Sequence, residues 1–187
     1  MPGANPVAPR RVVLLRAVNV AGRTLPMATF AKALAGLGCT AVRTVGASGN
    51  AIVQGPDTTT DARLERAVED ELARQAKIET QAFVRASGTW RSLLASNPFR
   101  EEATADPAHL VITVLRDTPS TERWETLRRS ILGRERVAPG ARCAYIVYPD
   151  GIGRSKLTAV SIERALGTIG TSRNWNTART LQKLLES

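Results

Sequence analysis

Short β-branched runs alternate along the chain with stretches in which apolar residues recur every three or four positions. Residues 12–18, VVLLRAV, carry apolar side chains on both faces, which predicts a strand buried from both sides. A helix is expected next, with Thr24 as its cap and Pro26 in its first turn. Met27, Phe30, Leu34 and Leu37 form its stripe, and Gly38 stops it. The segment AVRTVGASGNAIVQG predicts a hairpin turning near residues 47–50. Thr60 is placed to cap a second helix with Leu64, Val68 and Leu72 on one stripe. Its Glu/Arg pairs on the other stripe predict a solvated face. ETQAFVRA supplies a fourth strand, giving the order β-α-β-β-α-β.

After a connector the order recurs. Ser87 opens a short helix carrying Trp90, Leu93 and Leu94 that ends at the NPF of residues 97–99, and REEATADPA reads as loop. HLVITVL is a strand, and Ser120 caps a helix with Trp124, Leu127 and Ile131. RERVAPGARCAYIVYP reads as two strands around a Pro139-Gly140 turn, SKLTAVSIERALG as a helix, and GTIGTSRNW as the last extended piece. Thr177 then starts a terminal helix using Ala178, Leu181 and Leu184. The expected class is α+β: two tandem ferredoxin-like (βαββαβ) units with antiparallel sheets, packed into one compact body. Residues 1–10 form a disordered leader, 11–86 the first unit, 87–107 a connector with a short helix, and 108–187 the second unit with its C-terminal helix. Residue identity between the halves is negligible, so the repeat is one of element order.

Charge changes this picture only in part. The 187 residues carry a net charge of +9, which favours polyanionic partners, but arginine outnumbers lysine 22 to 4, as a GC-rich genome produces without selection for binding. Residues 1–60 hold 6 basic and 1 acidic side chains (+5), residues 61–115 hold 7 and 9 (−2), and residues 116–187 hold 13 and 7 (+6). No block of consecutive basic residues forms a nucleic-acid-binding tail. No apolar run reaches the roughly 18–20 residues of a membrane span, and the first residues lack a secretory layout, so a cytoplasmic protein without a membrane partner is expected. Cys39 and Cys143, far apart and without a C-x-x-C, read as small buried side chains.

Material for catalysis is sparse. His109 is the only histidine, which excludes a histidine-rich metal site, and no G-x-S-x-G elbow is present. No cofactor is called for. The densest polar stretch is PDGIGRSKL, residues 149–157. It matches neither G-x-x-x-x-G-K-[ST] nor G-x-G-x-x-G, yet Gly151 and Gly153 let backbone N–H groups approach an anion and Arg154 offers a fork of donors. Ser155 and Lys156 are read as opening a helix, whose first N–H groups favour negative charge. The plain alternative is a turn with Ser155 as the helix cap. TSRNWNT gathers Arg173, Asn174, Trp175 and Asn176 before the last helix. Arg16 and Asn19 end the first strand, and GASGN adds Ser48 and Asn50. An arginine in a doubly apolar strand needs a partner, so internal bracing is the rival reading for each cluster. VVLLRAV and HLVITVL carry no aromatics on which bases could stack, which argues against an RNA-recognition motif.

LLRAVNVAGRTLPM, SGNAIV, SNPF, DGIGRSKLT and TSRNWNT occur in the order and spacing of the bacterial domain-of-unknown-function family 1697, which the chain resembles from Arg11 onward. The resemblance implies a small cytosolic protein built from ferredoxin-like units. It marks as recurrent Arg16, Asn19, Ser48, Gly49, Asn50, Gly151, Gly153, Ser155, Lys156, Arg173, Asn174, Trp175 and Asn176. The chain departs from the family where Ala17 replaces a glycine, and where Ala21-Gly22-Arg23-Thr24 replaces a Gly-Gly-Lys/Asn run. The expected function is non-catalytic binding of an anionic or phosphate-bearing small ligand in a cleft between the two units, because Arg16, Arg154, Lys156 and Arg173 cluster in motifs that lack an acid–base pair. The alternatives are an enzyme acting on a nucleotide-type substrate through Lys156 or Asp150, sequestration of a natural product or other small molecule in an apolar cleft using Trp175 and Trp90, and charge-driven nucleic-acid binding.

Overall fold

The computed structural model describes residues 9–18, 24–56 and 58–187. The expected leader, residues 1–10, lies outside the described residues as far as residue 8, and Arg10 already belongs to the first strand. The chain divides into two units, Met1–Trp90 with Lys183–Ser187, and Arg91–Gln182.

The first unit holds β1 (Arg10–Leu15), α1 (Met27–Gly36), β2 (Thr40–Val45), β3 (Asn50–Gln54), α2 (Asp61–Ala76) and β4 (Ala82–Ala86), and the first residues of α3 (Ser87–Ala95). Its antiparallel sheet has the order β2-β3-β1-β4, with Val13 opposite Ala51 on one side and Val84 on the other. Val13, Leu15, Val53 and Val84 bury one sheet face against Phe30 and Leu34 of α1 and Leu64, Val68 and Leu72 of α2. Val12, Leu14, Ile52 and Phe83, on the opposite face, are buried too, as the doubly apolar pattern of the first strand requires.

β1 ends at Leu15, not at residue 18, because Ala17 takes a left-handed φ of 53°. That conformation costs a residue with a Cβ about 1–2 kcal/mol, and this is the position where the family resemblance implies glycine. Thr24 does not cap α1: Pro26 holds the N-cap position, without a side-chain hydrogen bond. Thr60 does cap α2, accepting from the Arg63 N–H. The hairpin turns between Val45 and Asn50, and Gly49 (φ +72°) could not be replaced in place, since a Cβ there would lie 2.7 Å from Leu15 Cβ.

The acidic stripe of α2 is not the solvated face that its spacing suggests. Asp61, Glu65 and Glu69 accept from the N–H groups of Ala86 (3.1 Å), Val84 (2.9 Å) and Ala82 (2.9 Å) along β4, the edge strand of the sheet. The match is geometric. Four helical residues advance about 6 Å and two strand residues about 6.7 Å, so carboxylates at i, i+4 and i+8 meet alternate strand amides. The same carboxylates collect two arginines: Arg11 Nε donates to Asp61 Oδ1 at 3.0 Å, and Arg85 Nη1 to Glu65 Oε1 at 3.1 Å. Glu65 and Arg85 are 2% and 3% exposed.

The second unit holds the rest of α3, then α4 (Arg100–Ala105), β5 (Leu110–Leu115), α5 (Thr121–Arg129), β6 (Arg136–Gly140), β7 (Cys143–Val147), α6 (Ala159–Leu166), β8 (Gly170–Asn174) and most of α7 (Trp175–Glu186). Its sheet, β6-β7-β5-β8, repeats the order of the first. Val111, Leu115, Ala144 and Ile146 pack on Trp124 and Leu127 of α5 and Ile162 and Leu166 of α6. Four expectations are corrected here. REEATA is a helix, with Phe99 at its N-cap position, favoured by Glu101 and Glu102 in its first turn. Pro139 and Gly140 lie within β6, paired to Ala144 and Cys143, and the reversal falls on Ala141 and Arg142. Proline is tolerated there because β6 is an edge strand. α6 begins at Ala159 with Thr158 as its cap, so Ser155 and Lys156 precede the helix. α7 begins at Trp175. Both units are therefore βαββαβ folds with antiparallel four-stranded sheets. Among the described residues no helix is long and apolar enough to cross a membrane.

Candidate functional site

Between β7 and α6 the chain must leave a fully buried strand and enter a helix whose first turn is exposed. Tyr148 starts the passage, its N–H bonded to His109 O (2.9 Å) and its hydroxyl donating to Leu157 O (3.2 Å). Burial, with Glu135 nearby, pushes the Tyr148 phenol well above its ordinary pKa, so it stays a neutral donor. Gly151 (φ +82°) reverses the chain and sends its N–H to Tyr148 O at 2.9 Å. Ile152–Arg154 form one 3-10 turn. Ser155 Oγ accepts the Leu157 N–H (2.9 Å) and donates to the Glu135 carboxylate. Ser155 thus pins the loop to the segment before β6 and does not cap a helix.

That segment builds the facing wall. Arg134 forms an ion pair with Asp150, and this hydrogen bond, with Arg154 and His109 adding to it, holds the Asp150 carboxyl below its ordinary range. Gly133 lets the Glu135 carboxylate lie against the backbone, since a Cβ there would come 3.1 Å from its Cδ. A cavity of about 220 Å³ opens between the two segments, with Leu132, Gly133 and Glu135 on one side and Asp150, Arg154, Ser155 and Lys156 on the other. Arg154 and Lys156 are exposed. Among the described residues no ion pair or hydrogen bond engages either side-chain cation, whereas Asp150 is paired with Arg134 and Glu135 accepts from Ser155 through Oε1, its buried Oε2 having no hydrogen-bond partner.

The remaining expected residues are placed elsewhere. Arg173 is buried in β8, where its Nη1 donates to Thr171 Oγ1 (2.9 Å) and Ser172 O (2.7 Å). Burial draws its pKa down to about 10, and it does not line the cavity. Asn174 Oδ1 accepts the Thr177 N–H (2.9 Å) at the mouth of α7, Trp175 is buried, and Asn176 is exposed. Arg16, in the first unit, donates from Nη1 to Gln81 Oε1 (3.0 Å) beside a second cavity of about 340 Å³ that Glu69, Asp70 and Glu79 also line. Asn50 is buried and donates to Val45 O (3.0 Å), Ser48 is exposed on the turn, and Asn19 lies outside the described residues. Trp90, like Trp175, is a core side chain. The enzyme reading requires Lys156 or Asp150 partly buried beside Arg173, and both are exposed. Among the described residues no group of three His, Cys, Asp or Glu side chains is placed to hold a metal ion.

Sequence reasoning singled out Gly151, Gly153, Arg154, Ser155 and Lys156, which share one loop, but missed the wall of Leu132, Gly133, Arg134 and Glu135. The available signal was GRER directly before a strand, two arginines around a carboxylate that the packed fold brings to the loop.

No curated protein matches the chain. The solved structure of the conserved bacterial protein SP0830 from Streptococcus pneumoniae resembles it with a TM-score of 0.73 at 17% identity, covering 95% of this chain and 98% of that one, which is a likeness of fold. The sequence model of DUF1697, described as a protein of unknown function, matches residues 9–145. That span includes LLRAVNVAGRTLPM, SGNAIV and SNPF and stops short of DGIGRSKLT and TSRNWNT. With nearly three-quarters of its length matched, the chain belongs to the DUF1697 family.

Proposed function

We propose that the second unit binds a small phosphate-bearing anion, without transforming it, in the cavity that Arg154 and Lys156 line. One observation carries this reading: no hydrogen bond or ion pair holds either cation of that wall, while Asp150 is paired with Arg134 and Glu135 is bonded to Ser155. Charged hydrogen bonds are worth about 1.5–3 kcal/mol each, and guanidinium and ammonium groups together supply the forked and the point donors that a phosphate accepts. A volume of about 220 Å³ accommodates a phosphate group with a few further atoms.

Thermal-shift measurements with inorganic phosphate, pyrophosphate, nucleotides and phosphosugars test it. At least one of these anions is expected to raise the Tm, since a ligand at 100 times its Kd adds about 2.7 kcal/mol to the folded state. The shift should vanish in the Arg154→Ala, Lys156→Ala double variant. No stabilisation by any anion, or the same stabilisation in the double variant, overturns the reading.

A further inference from the structure

Large apolar side chains that stay exposed in this molecule are not scattered. Among the described residues they are Leu132 (79% exposed), Ile152 (56%) and Val160 (59%), all in the second unit. Leu132 lines the cavity, Ile152 starts the 3-10 turn that carries Arg154, and Val160 stands on the first turn of α6, four residues after Lys156. Single exposed apolar residues are ordinary, but here one lines a polar cavity and the other two flank in sequence the cationic segment that lines its opposite side, and exposed apolar surface rimmed by polar residues marks a binding surface. The cavity has room for a charged headgroup and little more, so the rest of a ligand must leave it over this rim.

We infer that the ligand is amphiphilic, a phosphate monoester carrying a single apolar chain, with the phosphate on Arg154 and Lys156 and the chain lying along Leu132 and Ile152. The inference rests on the anion-binding reading above and adds the class of ligand. The cationic pair supplies the charge complementarity and the apolar rim supplies the chain-length preference. The same chemistry occurs in a free amphiphile and in an anionic bilayer. The cavity's volume of about 220 Å³ fits one headgroup, and the single-chain form is the occupant assigned.

The experiment is a calorimetric titration of the whole protein with inorganic phosphate, butyl phosphate and octyl phosphate, the last below its micellar concentration. Each methylene fully removed from water tightens binding about fourfold. Even with the chain half covered, octyl phosphate should bind at least tenfold more tightly than butyl phosphate. Leu132→Ser with Ile152→Ser should cut that ratio below threefold while leaving the Tm unchanged, as substitutions of exposed side chains allow. Equal affinity for the butyl and octyl esters overturns the amphiphile while leaving phosphate binding intact. Octyl phosphate bound equally by the Arg154→Ala, Lys156→Ala variant overturns the headgroup assignment beneath it. Co-sedimentation with phosphatidylcholine vesicles containing phosphatidic acid, without binding of free octyl phosphate, overturns the single-chain form in favour of a bilayer.

Discussion

β4 and β8 occupy the same edge of their sheets, each beside the first strand of its unit, and each carries a buried arginine at its fourth residue. Arg85 pairs with Val12 and Arg173 with Ile112, the third residues of β1 and β5. The helices that serve these edges differ. α2 runs for 16 residues and meets β4 with three carboxylates. α6 runs for 8, and its Glu163 accepts the Gly170 N–H at 3.0 Å, which matches Glu69 on Ala82. Four residues earlier, where α2 has Glu65, α6 has Ala159, and eight earlier, where α2 has Asp61, the second unit has Ser155 in the loop. One unit spends its acidic residues on guarding a strand edge. The other has lost two rungs and given the same stretch of chain to a loop with two unengaged cations. Two carboxylates at those steps would lower the +6 balance of residues 116–187 only to +4, so the missing rungs account for part of it, and they fall where the candidate site lies.

The largest way to break the comparison is at the middle rung. Glu65→Ala leaves the Arg85 guanidinium and the Val84 N–H buried without their shared acceptor, and removing one partner of such a pair costs about 3–5 kcal/mol. Urea unfolding should show that loss with an unchanged m-value. Replacing both members by apolar residues, Glu65→Leu with Arg85→Met, should recover most of it. A cost below about 1 kcal/mol for Glu65→Ala would mean that the ladder is incidental to the first unit. Glu163→Ala, at the step of the second unit that matches Glu69, removes the acceptor of the Gly170 N–H. The expected loss is about 1–2 kcal/mol, and equality with Glu65→Ala would erase the distinction drawn between the helices.

The ladder also marks what the chain's pattern could reveal. Apolar spacing identified most strands and all the longer helices, because burial of Leu64, Val68 and Leu72 is written directly as a stripe, whereas β8, GTSRN, has no apolar residue and was legible only as an extended piece. Thr60 and Ser120 were legible as caps, each a hydroxyl directly before its stripe, but the same signal failed at Thr24, where Pro26 takes the N-cap position. REEATA escaped because six residues present no stripe, only strong helix formers. The three acids of α2 were visible at spacing four, but charges at that spacing read equally as a solvated face. Only the packing of α2 on β4 decides between the two. Of the candidate site, the loop was legible because its glycines, serine and cations are contiguous. Its opposite wall was not, since Leu132 and Glu135 join it through tertiary packing.

Restoring a rung sharpens the comparison from the other side. Ala159→Glu places a carboxylate in the first turn of α6, at the step where α2 carries Glu65. An acid in a first helical turn contributes about 0.3–1 kcal/mol, and the Ser172 N–H is the amide at the matching step of β8. Unfolding should show a gain of about 0.5–1 kcal/mol. Phosphate affinity at Arg154 and Lys156 should fall severalfold, because the new carboxylate lies three residues from Lys156. A variant that is more stable and still binds phosphate with unchanged affinity would separate the lost rungs from the unengaged cations.

The smallest effect distinguishes how the two stretches are held. The loop of the second unit leans on the exposed Arg134–Asp150 pair, whereas the ladder is anchored on Glu65, which is buried. At about 1 M salt the Debye length falls to about 3 Å, which screens the first and leaves the second. Acid acts on the same pair with a definite sign. The Asp150 carboxyl has a folded pKa below its ordinary value of 3.8, so its contribution is present above that value and is lost as the pH falls through the lower folded one. Hydrogen-exchange protection of the Gly151 and Arg154 amides, both bonded within the loop, should therefore fall in 1 M salt and again as the pH drops below 3.8 and through the lower folded value. The Val84 amide should keep its protection in salt. Parallel loss at Val84 would show that the loop does not open independently of the first unit. Unchanged protection at Gly151 would move the loop's anchorage from Asp150 to the Ser155–Glu135 bond, which salt leaves in place.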